Sequence, residues 1–137
     1  MNDTDQGPNP FVLNIEDATL NNTNYRTTLW TGTNLQLTVM SIEPGHDIGL
    51  EVHYDHDQFL RIEGGEAKVQ MGSSKGELRE WQAGEKDAIF VPAGSWHNLT
   101  CVSEGPLKVY SVYAPPQHAH GTVHETKAIA DIAEEQE

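Results

Sequence analysis

From Phe11 onward the chain alternates short apolar and polar positions and breaks that alternation with turn residues every few positions, which favours strands over helices. Residues 35–40, Leu-Gln-Leu-Thr-Val-Met, alternate cleanly, as do 67–71, Ala-Lys-Val-Gln-Met. The following Gly72-Ser73-Ser74-Lys75-Gly76 reads as a hairpin loop into a strand over 77–81. Further strands are expected over 26–30, 48–53, 58–63, 87–91, 96–102 and 107–113, and Pro115-Pro116 ends the last of them. About eight or nine strands with regular turn signals predict an all-β sandwich or barrel. The expected core is Leu35, Leu37, Val39, Leu50, Val52, Leu60, Ile62, Val69, Ile89, Phe90 and Leu99. One helix is expected, over 125–137, where Ala128, Ile129, Ile132 and Ala133 recur at helical spacing. The polar ends complete the organisation: a flexible N-terminal tail over 1–10, one barrel over 11–116, and a C-terminal tail with the helix over 117–137.

Composition narrows the partners. With 137 residues the chain suits one domain, and its formal charge of −13 opposes binding to nucleic acid or an anionic membrane surface. The basic residues form no stripe, although a single Arg or a metal ion could still hold a small anion locally. Arg26, at the start of an early strand, reads first as a surface charge and second as such an anchor. Cys101 is alone, so no intrachain disulfide or multi-thiolate zinc site is available, and it reads as a buried strand residue. No leader pattern or membrane-spanning apolar run is present, which sets the expectation of a cytoplasmic protein.

The chemistry concentrates in two segments. In the first, Gly45 is followed by Glu51-Val52-His53, Gln58 and Gly65; the second reads Pro92-Ala93-Gly94-Ser95-Trp96-His97-Asn98. On a strand, Glu51 and His53 share one face, Gln58 shares a face with Leu60 and Ile62, and His97 shares one with Leu99 and Cys101. Two imidazoles, a carboxylate and an amide oxygen suit a divalent transition metal such as Mn, Fe, Ni, Zn or Co better than Ca or Mg. If Gln58 coordinates weakly, Glu51, His53 and His97 approximate a two-histidine-one-carboxylate site with open positions. Glu51 has two open roles, metal ligand and general base. His56 and Asp57 are expected in a loop near the mouth.

These segments resemble the two signature motifs of the cupin superfamily. Gly45, His53, Gly65, Pro92, Gly94 and His97 match the pattern, while Glu51 stands for the first motif histidine, Gln58 for the acidic ligand, and Asn98 directly follows His97 in place of a spaced Asn. The resemblance runs from about Leu35 to Tyr113 and implies a double-stranded β-helix, the cupin jelly-roll barrel, with a metal near one mouth. Together with Asp57-Gln58-Phe59, Tyr113-Ala114-Pro115-Pro116 and Gly121-Thr122-Val123-His124, it resembles small single-domain cupins labelled mannose-6-phosphate-isomerase-like.

Two functional classes follow. One is a metalloenzyme acting on a sugar or organic acid by isomerase, dioxygenase or lyase chemistry; the other is a non-catalytic barrel that binds a small ligand such as a sugar. A homodimer is expected for either, from exposed barrel faces carrying Phe59, Arg61 and aromatic residues. Trp96 is the first aromatic candidate to line the pocket. His118, His120 and His124 form either a solvated linker or a cover folded back over a barrel mouth.

Overall fold

The structure, a computed structural model, describes residues 4–135. Its elements in chain order are α1 Ile15–Asn21, β1 Arg26–Thr31, β2 Gln36–Ile42, β3 Asp57–Gly64, β4 Ala67–Gly72, β5 Leu78–Ala83, β6 Ala88–Val91, β7 Trp96–Cys101, β8 Leu107–Ala114, β9 Val123–His124 and α2 Lys127–Glu135. A six-stranded sheet has the order β6-β3-β8-β2-β1-β9, and a three-stranded sheet the order β5-β4-β7. The paired strands run antiparallel. The two sheets form the jelly-roll expected from the sequence, with the short helix following it.

The core lies between the sheets, because alternate residues of each strand face inward. Met40, Ile42, Leu60, Ile62, Val91 and Val109 from the larger sheet join Ala67, Val69, Leu99 and Cys101 from the smaller one. Val39, Leu60, Ile62, Val69, Ile89 and Leu99 are buried as expected, but Leu35, Leu50 and Phe90 are exposed. Phe90 shows why: the run Ala88–Val91 is apolar throughout, so pattern alone does not reveal which parity faces in, and on this strand it is Ile89 and Val91.

The strand expected over 48–53 does not form. Gly49 adopts a positive φ of 86° there, and the loop between β2 and β3 instead runs beside β7 through separated bridges, Asp47 with Thr100 and Glu51 with His97. The helix α1 was not among the expected elements. Asn14 caps it, its side chain accepting from the Asp17 amide at 2.9 Å, and Glu16 and Asp17 lie in its first turn, where acidic groups are favoured.

The N-terminal stretch also departs from the expectation of a tail. Asp5 is buried, accepting from the Gly7 and Gly121 amides at 3.0 Å each and from Thr31 Oγ1, and the Gln6 amide donates to Leu29 O. A carboxylate supplied with that many donors can enter the fold despite its polarity. Residues 1–3 of the expected tail and 136–137 of the expected helix lie outside the described residues. Among the described residues, no helix is long and apolar enough to cross a membrane.

Candidate metal centre

Strand β7 and the loop between β2 and β3 converge at one mouth of the barrel. β7 carries His97 inward, and its side chain is fully buried. Glu51 lies directly opposite: its amide donates to His97 O at 3.0 Å, and the His97 amide donates to Glu51 O at 2.9 Å. His53 follows two residues later, fixed where its carbonyl accepts from the Gly94 amide at 2.7 Å. Gly94 has a φ of 84°, a conformation that suits glycine and lets the turn before β7 close onto the Glu51 loop.

One ligand atom from each of Glu51, His53 and His97 lies within 4.8 Å of the others. Glu51 Oε1 is 3.3 Å from His53 Nε2 and 3.5 Å from His97 Nε2. Burial alone would raise the Glu51 carboxyl, but the adjacent imidazoles of His53 and His97 outweigh it and hold the group at about 2.

The histidine orientation fits a cation. His97 Nδ1 lies 3.1 Å from Ser95 O, which puts a proton on Nδ1, so that in the neutral ring Nε2 is the atom left to bind a cation. That Nε2 is buried and has no hydrogen-bond partner. A buried acceptor left empty costs about 1–3 kcal/mol, a cost that an ion at this point removes. Glu51, His53 and His97 are therefore a donor set that a divalent transition metal fits.

Gln58, the fourth sequence candidate, is buried on β3 with its Nε2 donating to Ser111 Oγ at 2.8 Å and its Oε1 without a partner. Tyr113, the register partner of Gln58 on β8, has its ring 6.3 Å from that of His53. His56 stacks beside His53 at 5.0 Å between ring centroids, whereas Asp57 accepts from the Ala93 amide at 2.9 Å and so ties down the second motif.

Above the triad lies a cavity of about 260 Å³ lined by Arg26, Glu51, Val52, His53, Tyr113 and residues from the C-terminal segment, namely Gln117, His118 and Glu134. Burial pushes the Tyr113 hydroxyl up to about 12. Burial, reinforced by the charge of Arg26, holds His118 down at about 3, so its imidazole is neutral. His118 is fixed through its backbone by Gln36, whose Nε2 donates to His118 O at 2.7 Å and whose Oε1 accepts from the His118 and Gln117 amides at 2.9 and 3.0 Å. The cover reading holds at His118, whereas His120 Nε2 lies 2.7 Å from Gly7 O, away from the cavity lining, and His124 on β9 pairs with Arg26.

Arg26 corrects the surface-charge reading. It is buried on β1, and its Nη1 donates to His124 Nδ1 at 3.1 Å and to Glu134 Oε1 at 3.2 Å. Its position before the inward-facing strand residues was the available signal, but the 98 residues separating it from His124 hid the pairing. The aromatic lining this cavity is Tyr113, whereas Trp96 stacks under the Lys75 ammonium at 4.9 Å.

Comparison with known proteins agrees with this architecture. Residues 38–113 match the cupin domain family. The uncharacterized protein YrkC of Bacillus subtilis strain 168 is 54% identical over 132 residues, which span 96% of this chain and 71% of that protein. The crystal structure of BH2720 from Bacillus halodurans superposes with a TM-score of 0.93 at 56% identity, over 94% of this chain and 98% of that one. Oxalate decarboxylase from Bacillus subtilis, a protein with Mn(II) centres, shares the fold at a TM-score of 0.57 and 22% identity, over 68% of this chain and 24% of its own.

Proposed function

The chain belongs to the cupin domain family, and from that membership and its pocket we propose that it is a metal-dependent enzyme acting on a small polar metabolite. Glu51, His53 and His97 hold the ion, and Gln58 Oε1 is the candidate fourth donor. The observation that carries this reading is the buried, unpartnered Nε2 of His97 beside Glu51 and His53. Mn is the first metal to test, supported by the Mn(II) centres of the structurally similar oxalate decarboxylase. When bound, the ion supplies Lewis acidity or a place for dioxygen, which serves isomerase, dioxygenase or lyase chemistry.

The chain's own residues do the rest. Ser95 O fixes the tautomer of His97, and the Glu51 carboxylate stays ionised between two imidazoles. Neutral His118 and the Tyr113 ring wall the cavity. At about 260 Å³ the cavity is below the ~300 Å³ at which drug-sized pockets begin, in keeping with a metabolite of a few carbons. A sugar-phosphate substrate, as the mannose-6-phosphate-isomerase-like label implies, has less support. Arg26 is the one Lys or Arg among the described residues lining the cavity, and a single guanidinium is a sparse complement for a phosphate dianion.

Elemental analysis after expression with Mn, Fe, Ni, Zn or Co tests the reading. We expect about one ion per chain in the wild type and loss of it in His53→Ala and His97→Ala that remain folded. A folded wild type that takes up none of these metals overturns the proposal.

A further inference from the structure

We propose that Arg26 is the anchor for a carboxylate of the substrate and that Glu134 occupies this anchor as an internal stand-in, so that ligand binding displaces the end of α2 from the pocket. The inference rests on the metal-site reading above and names the class of molecule that site takes: a small organic acid bearing one carboxylate for Arg26 and a second oxygen group for the ion.

Four observations carry it. Arg26 is a cationic side chain buried in the wall of the cavity that Glu51 and His53 also line. An arginine offers five N–H donors in a fork that matches a carboxylate edge to edge. Here the fork is underused: Nη1 is shared between His124 and Glu134, while the buried Nε has no hydrogen-bond partner.

The third observation is the character of the present partner. Glu134 makes one contact at 3.2 Å, its side chain is 39% exposed, and it stands in the last turn of α2. Only the carboxylate side of the pair is open to solvent, the guanidinium being 5% exposed, so an incoming carboxylate replaces Glu134 without leaving the buried Arg26 uncompensated. Burial also raises the Glu134 carboxyl despite the neighbouring guanidinium, a sign that the pocket solvates this carboxylate poorly.

The fourth is charge. Arg26 faces two carboxylates, Glu51 and Glu134, across the cavity, and a divalent ion on the triad makes the pocket net positive. An incoming acid therefore meets a favourable potential despite the −13 of the whole chain. When Glu134 withdraws, the attraction increases, and Arg26 gains a partner able to engage both Nε and an Nη.

Calorimetric titration of the Mn-loaded protein tests this with succinate and its uncharged counterpart succinamide, the metal content of every sample being measured in parallel. We expect wild type to prefer succinate. Glu134→Gln should bind succinate about fivefold more tightly, the range expected for removing a half-exposed competing ion pair. Arg26→Gln should bind it about tenfold more weakly, as for a lost charged hydrogen bond, with succinamide unaffected. Because Arg26 is buried and its variant can fail to fold, the gain in Glu134→Gln is the deciding measurement. Equal binding of succinate and succinamide by the loaded wild type, or no gain in Glu134→Gln, overturns the anchor proposal. Failure of the wild type to load metal overturns the site reading instead.

Discussion

Glu51 and His97 exchange both of their backbone hydrogen bonds, at 3.0 and 2.9 Å, and present their side chains to the same point. The loop that carries Glu51 is thus registered against β7 by main chain alone, and two donors of the candidate metal centre are spaced before an ion arrives. Such preorganisation reduces the ordering cost of binding. Glu51→Gln retains the backbone pair and the shape but removes the charge. Its Mn affinity, measured by competition with a chelator, should fall on the order of 100-fold, with circular dichroism unchanged. Affinity equal to wild type would remove Glu51 from the donor set.

His118 makes stability depend on pH. Its ordinary value of 6.5 governs the unfolded chain, while burial and Arg26 hold it at about 3 in the fold. Between those values the unfolded chain binds a proton that the folded chain does not, so stability is complete above pH 6.5 and declines as pH falls toward 3. Urea unfolding at pH 7 and pH 5 should show His118→Gln losing less stability than wild type, by up to about 2 kcal/mol. Parallel losses in the two proteins would place the imidazole outside the buried pocket.

Gly65, a glycine of the first motif, has a φ of 86°, and a Cβ there would lie 2.8 Å from Pro106 O. Gly65→Ala should therefore destabilise the protein by about 1–3 kcal/mol from backbone strain, with the contact adding to it. The urea midpoint checks this, and an unchanged midpoint would show that the turn before β4 can relax.

Asp5 ties the N-terminal stretch to both β1 and the C-terminal segment, through Thr31 and Gly121. Asp5→Ala leaves their donors without this acceptor and should cost about 2 kcal/mol. Hydrogen exchange should quicken at the Gly7 and Gly121 amides. Unchanged exchange at both would contradict the clasp.

The barrel and the candidate triad were legible in the sequence for a simple reason: both depend on periodicity and local spacing. Glu51 and His53 are two residues apart, and His97 sits in a short motif whose turn glycine closes the site. The strand expected over 48–53 failed on Gly49, yet the Glu51–His97 bridge still brings Glu51 and His53 to one point beside His97. Phe90 was misplaced because a uniformly apolar run carries no parity. Arg26, His118 and Glu134 were harder to place, since their meeting depends on how the C-terminal segment wraps across the sheet, and pairings 98 and 108 residues apart leave no local trace. Helix α1 did carry a readable cap in Asn14, but its seven residues were too short for periodicity to register.

Gln36 is fully buried and spends its amide on main-chain groups of Gln117 and His118 and on the Thr31 hydroxyl. Since it grips peptide groups, the path of this strap is indifferent to which side chains the strap bears. Replacements at 117 or 118 can thus reshape the rear of the chamber while its backbone stays moored, a route by which related chains could exchange one small guest for another on an unchanged barrel.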